Sequence, residues 1–109
     1  MADDNQHNEK IKEIILQDSL DSLCAALFDC ETLTDMKNFL IDLSTPQERD
    51  ALGERWTIAQ LLNLGTLSYR DISGLTGAST TTIGRVARFL DKEPHKGYAK
   101  ALAQKAGSA

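Results

Sequence analysis

The sequence predicts an all-α fold on three observations. No stretch alternates apolar and polar side chains as a half-buried strand does, apolar residues return instead at spacings of three and four, and helix start and stop signals recur along the chain. At 109 residues the chain suits one small domain. Such a domain buries only about two-thirds of the surface its unfolded chain exposes, so a core enlarged by dimerisation is expected to help.

Taken in order, residues 1–17 read as an N-terminal extension, disordered to about Asn8 and then amphipathic through Ile11, Ile14 and Ile15. Asp18 and Ser19 can start a fresh helix, with Leu20, Leu23, Cys24 and Leu27 at helical spacing. Thr32 with Asp35 gives a capping-box pair ahead of Leu33, Met36, Phe39, Leu40 and Leu43. The run Thr45-Pro46-Gln47-Glu48 is the strongest start signal in the chain, with an N-cap hydroxyl, proline at the first helical position and Glu at the third. The helix it opens is predicted to run to about Leu64 and to stop at Gly65. After Leu90, the charged Asp91-Lys92-Glu93 and Pro94 end another helix and lead into a last one, with Tyr98, Ala101 and Leu102 inward and a frayed tail from Gly107.

Between these lies the most informative stretch, Leu67 to Leu90. Ser68 and Asp71 form a capping box for a short helix whose Ile72 and Leu75 are expected to share an inward face. Gly77 falls where the chain must reverse at positive φ, and Ala78 is small enough for two helices to approach closely. Ser79 or Thr80 then caps a second helix, whose Ile83, Val86, Ala87 and Leu90 form one apolar stripe. Thr80, Thr81, Gly84, Arg85 and Arg88 are left facing outward.

That exposed set points to a helix-turn-helix that reads DNA. A solvent-facing helix ordinarily carries Glu, Lys and Gln. Here three threonines stand in a row; Thr is a mediocre helix former, but its hydroxyl and methyl can meet base edges and the thymine methyl, while Arg forks onto guanine or phosphate. The candidate DNA-binding residues are therefore Arg70, Ser79, Thr80, Thr81, Thr82, Gly84, Arg85 and Arg88, with Arg70 placed for a backbone phosphate and Gly84 for a close approach. The alternatives are a plain helical hairpin, or a protein–protein interaction module without sequence-specific DNA binding. Salt-dependent binding to duplex DNA separates the last of these from a reader.

Charge distribution favours the reader. The chain as a whole is acidic, with 12 Lys and Arg against 16 Asp and Glu. From Thr66 onward, however, seven cations face three acids, a net of +4, whereas the first 65 residues hold five against thirteen, a net of −8. The second and third helices are apolar on more than one side, through Leu23, Ala26, Leu27 and Phe28 and then Phe39, Leu40 and Ile41, as faces that meet a partner usually are. Trp56, the only tryptophan, is expected in core or dimer packing.

Other chemistries lack their residues. Cys24 and Cys30, six apart on a predicted helix, point in different directions and read as buried thiols. With His7 and His95 distant from them, no metal set forms, and no cofactor is expected. No Ser/His/Asp constellation or phosphate-cradling glycine loop accompanies the acids, so the protein is not expected to be an enzyme. The polar, acidic N-terminus and the lack of a long uncharged apolar run predict no membrane association and a cytoplasmic protein.

The order of parts over about Leu20 to Ala106 resembles the Trp repressor superfamily, and within it the YerC/YecD branch. The segments that carry the resemblance are ALGERWTIAQLL on the long helix and above all GASTTTIGRVARFL. It implies an intertwined, all-helical homodimer over residues 18–106, with the helix-turn-helix at 68–90 as its DNA-reading head and double-stranded DNA with a two-fold symmetric operator as partner. By the same resemblance Arg55 and Arg85 match the two arginines that sandwich the corepressor indole and hold its carboxylate. Val86 and Phe89, however, stand where the repressor has Gly and Ser, and a β-branched residue and an aromatic fill a slot built for an indole. The expected function is thus a transcriptional repressor whose tryptophan pocket is lost and whose small-molecule effector, if any, is not tryptophan.

Overall fold

The computed structural model describes residues 2–107, and among these all regular structure is helical: α1 Ala2–Leu16, α2 Ser19–Phe28, α3 Leu33–Leu43, α4 Pro46–Asn63, α5 Tyr69–Thr76, α6 Thr80–Asp91 and α7 Gly97–Gly107. The chain divides between Leu43 and Ser44 into two units.

In the first unit, α1 begins well before the point where the sequence becomes amphipathic. Residues 2–8, expected to be disordered, are helical, and Met1 lies outside the described residues. Sequence periodicity registers only a helix with an apolar face, whereas α1 is exposed from Asn5 to its end, with Ile14, Ile15 and Leu16 all open. The Asp18 carboxylate caps α2 by accepting the Asp21 N–H at 2.9 Å, and the Thr32 hydroxyl caps α3 by accepting the Asp35 N–H at 3.0 Å. Neither helix has a buried residue. The two cysteines therefore depart from expectation. Cys24 is exposed and Cys30 half-buried, its thiol donating to the Ala26 carbonyl at 3.5 Å, because no element of the unit covers α2 fully.

The second unit holds the core. Around α4 the start signal forms as read: the Thr45 hydroxyl accepts the Glu48 N–H at 3.2 Å, and the Glu48 carboxylate accepts the Thr45 N–H at 2.8 Å. The bond from the Thr45 N–H to the carboxylate, with a smaller contribution from the Thr45 side chain, favours the ionised form and holds the Glu48 pKa below its ordinary value. Ile58 and Ala59 from α4 pack with Ile72 from α5, Ala78 from the turn and Ile83 and Val86 from α6. Trp56, Leu61, Leu62, Leu67 and Tyr98 lie partly buried around this cluster, and Leu102 of α7 is buried. Gly65, at φ 75°, ends α4 in the left-handed region that glycine enters without a Cβ penalty.

Two expected inward residues are not inward. Leu75 is 68% exposed. Neighbouring helices cover the side of α5 that carries Ile72, and Leu75, three residues on, falls beyond the edge of that contact. Ala101 is likewise exposed while Leu102 beside it is buried. Gly107, expected to be frayed, still belongs to α7; residues 108 and 109 lie outside the described residues.

Candidate nucleic-acid interface

The α5–α6 pair is held by a dense set of local hydrogen bonds. The Ser68 hydroxyl accepts the Asp71 N–H and the Asp71 carboxylate accepts the Ser68 N–H, both at 3.0 Å, and the bond to the carboxylate is the main cause that lowers the Asp71 pKa. At the other end of α5, Gly77 sits at φ 78° and donates its N–H to the Ser73 carbonyl at 2.8 Å. The turn is then laced from both sides. The Ser73 hydroxyl donates to the Ala78 carbonyl at 2.7 Å, and the Thr76 hydroxyl donates to the Ile72 carbonyl at 2.8 Å while accepting the Ala78 N–H at 3.1 Å. Ala78 is buried, so its small side chain lets the two helices close on it.

Ser79, rather than Thr80, is the N-cap of α6. Its hydroxyl accepts the Thr82 N–H at 3.1 Å and lies 3.0 Å from the Thr82 hydroxyl. Ser79 and half-buried Thr82 are thus engaged with each other, whereas Thr80 and Thr81 are exposed. At about 100° per residue, Thr80, Gly84, Arg88, Thr81 and Arg85 fall in one arc of roughly 140°. The opposite side carries buried Ile83 and Val86. Arg70 is exposed on the first turn of α5.

Gly84 is half-buried, but among the described residues nothing demands a glycine there. The nearest atom to a Cβ built on it is Tyr69 Cε2, at the ordinary contact distance of 3.9 Å. Tyr69 and Gly84 line one concave surface with Ala87, Arg88, Asp91, Lys92 and Glu93. On it the Arg88 Nε–H donates to the Glu93 carboxylate at 2.7 Å. In the sequence Glu93 stands out only as part of a helix stop, because a pair five residues apart across a helix end follows no helical spacing.

Arg55 and Arg85 meet at a second concavity, of about 240 Å³, together with Leu52, Trp56, Val86, Phe89 and Tyr98. Arg55 is half-buried; Arg85 is exposed, with its guanidinium carbon 4.6 Å from the centroid of the Phe89 ring. Phe89 in turn stacks with His95, centroids 6.5 Å apart. Val86 is fully engaged in the core.

Residues 18–106, from the cap of α2 into α7, match the family described as Trp repressor protein. The chain belongs to the Trp repressor family. It is also 38% identical over 72 residues to the Uncharacterized protein YerC of Bacillus subtilis (strain 168), an alignment covering 66% of this chain and 68% of that relative. No solved structure matches it. Within this Trp repressor family chain, the match takes in the capped α5–α6 pair and both concavities and leaves α1 outside. No described helix is long and apolar enough to cross a membrane.

Proposed function

We propose that this protein is a sequence-specific DNA-binding transcriptional regulator, a repressor without catalytic activity, that acts in the cytoplasm as a homodimer on a two-fold symmetric operator. Residues 18–106 form the working domain and the N-terminal extension lies outside it. The observation that carries this reading is the asymmetry of α6. Its inner side is built into the core through Ile83 and Val86, while Thr80, Thr81, Arg85 and Arg88 remain exposed on a helix whose start is fixed by the Gly77 turn and the Ser79 cap. A rigid helix presenting short hydroxyls and arginines suits the major groove. Arg70, on α5, supplies a contact to the backbone.

The unit formed by α1 to α3 supports the dimer. Leu20 is 65%, Phe28 88% and Leu33 83% exposed, which is apolar surface that a second chain can cover. The concavity at Arg55 and Arg85 supports loss of the tryptophan pocket. There the Phe89 ring lies against the Arg85 guanidinium, whose carbon is 4.6 Å from the ring centroid, and Val86 beside it is built into the core.

Selection from a random duplex library, followed by titration of the selected site across salt concentrations, tests the reading. Each phosphate neutralised lowers the slope of log K against log salt by about 0.9. A selected sequence with a steep slope is the expected result; binding without sequence preference or salt dependence returns the helix pair to a protein-interaction role. Sedimentation is expected to show a dimer, and a strict monomer at micromolar concentration refutes that part.

A further inference from the structure

The turn between α6 and α7 presses a carboxylate onto an arginine of the proposed reading face. Arg88 is exposed, its side chain 68% accessible, while the Glu93 side chain is only 23% accessible. Glu93 is fixed by more than the ion pair. Its own N–H donates to the Arg88 carbonyl at 3.1 Å, beside the Lys92 N–H on the same oxygen at 2.8 Å. Lys96, at φ 58°, donates its ammonium to the Asp91 carbonyl at 2.7 Å and ties the turn back to the end of α6. Pro94 stiffens the segment further, since it fixes its own φ and restricts the residue before it. Glu93 is therefore the fixed partner and Arg88 the one it holds.

The contact uses one donor of the guanidinium. Arg88 gives its Nε–H to Glu93 at 2.7 Å, which leaves both terminal NH₂ groups for another ligand. An exposed ion pair of this kind adds little to stability. Its consequence is geometric: an otherwise mobile side chain has its planar fork set in one orientation before it meets DNA. It is also electrostatic, because a carboxylate beside the guanidinium offsets its general attraction for phosphate and leaves its worth in a directed contact.

We propose that Glu93 is a positioning residue for Arg88, orienting the guanidinium fork so that it discriminates among DNA sequences rather than adding uniform attraction to the backbone. This rests on the DNA-reading function proposed above. Arg88 lies eight residues beyond Thr80, roughly 12 Å along the helix axis, so its contact falls at a different place in the site from those of the N-terminal threonines.

The test compares wild type, E93A, E93Q, R88A and the R88A/E93A double variant on the selected site and on a random duplex of equal length at one salt concentration. The ratio of the two affinities removes the general effect of deleting a negative charge. In E93A that ratio is expected to fall by about five- to tenfold, the lower part of what a well-made bidentate contact discriminates. E93Q, which keeps the acceptor oxygen, should retain most of it, and in the R88A background E93A should change nothing further. A ratio that E93A leaves unchanged or raises, or lowers equally without Arg88, overturns the positioning role while leaving the DNA-reading function intact. A wild type with no sequence preference overturns both. An NMR readout needs no DNA: the Arg88 Nε–H of the free protein should exchange slowly in wild type and E93Q and rapidly in E93A. Rapid exchange in wild type also overturns the proposal.

Discussion

Replacing Gly84 by alanine separates the folding requirement of α6 from its proposed contact with DNA. Glycine in a helix interior is about 0.8–1.0 kcal/mol less favourable than alanine, partly because of the extra freedom it gives the unfolded chain. The added methyl meets only Tyr69 Cε2, at 3.9 Å, so no neighbour has to shift. G84A is therefore expected to raise stability by about 0.5–1 kcal/mol, which for a domain of this size moves Tm up by roughly 2–8 °C. Thermal unfolding followed by far-ultraviolet circular dichroism measures it. If α6 lays its backbone close to DNA, the same methyl stands in the way and affinity for the selected site falls while Tm rises. A lower Tm refutes the packing of Gly84 against Tyr69, and undiminished DNA affinity refutes close approach as the reason for glycine at this position.

The remaining expectations concern readout, effector and acid stability. Thr81→Ala should cost roughly 1–3 kcal/mol of preference at the base pairs it faces, while Arg70→Ala should weaken selected and random DNA alike and flatten the salt slope; equal effects of both on preference reject this division. Calorimetry with L-tryptophan should show no heat of binding, and operator affinity should not change on its addition. A tenfold gain in affinity, about 1.4 kcal/mol, would show that the pocket survives beside Val86 and Phe89. Ser68→Ala should destabilise the second unit by about 0.5–2 kcal/mol through loss of the α5 cap. Because Asp71 and Glu48 have folded-state pKa values below their ordinary ones, each contributes stability that is present above the unfolded carboxylate pKa and is lost as pH falls through the folded one. Acid unfolding curves should accordingly be shallower in D71N, which keeps an acceptor oxygen but cannot titrate, than in wild type, and identical slopes count against the bond from the Ser68 N–H to the Asp71 carboxylate.

The capping boxes of α4 and α5, the Gly77 reversal and the membership of all described regular structure in helices were legible in the sequence, because each depends on residues within a few positions of one another; of the box expected at Thr32 and Asp35 only the bond from the Asp35 N–H to the Thr32 hydroxyl forms. Thr45 reaches Glu48, and Ser68 reaches Asp71, whatever the rest of the chain does. The family too was legible, since GASTTTIGRVARFL is a continuous segment. Only the tertiary structure decided which apolar side chains are covered. Ile72 and Leu75 look equivalent in the sequence, yet one is buried and the other open, because the neighbouring helices cover only one side of α5. Cys24 looked like a core thiol and is exposed for a related reason: burial of a helix face depends on what lies opposite it, which no local spacing encodes. The choice of Ser79 over Thr80 as cap turned on where the turn after Gly77 delivers the chain. The concavity shared by Arg55 and Arg85 depends on α4 and α6 meeting, and the hold of Glu93 on Arg88 depends on how the chain turns back after α6.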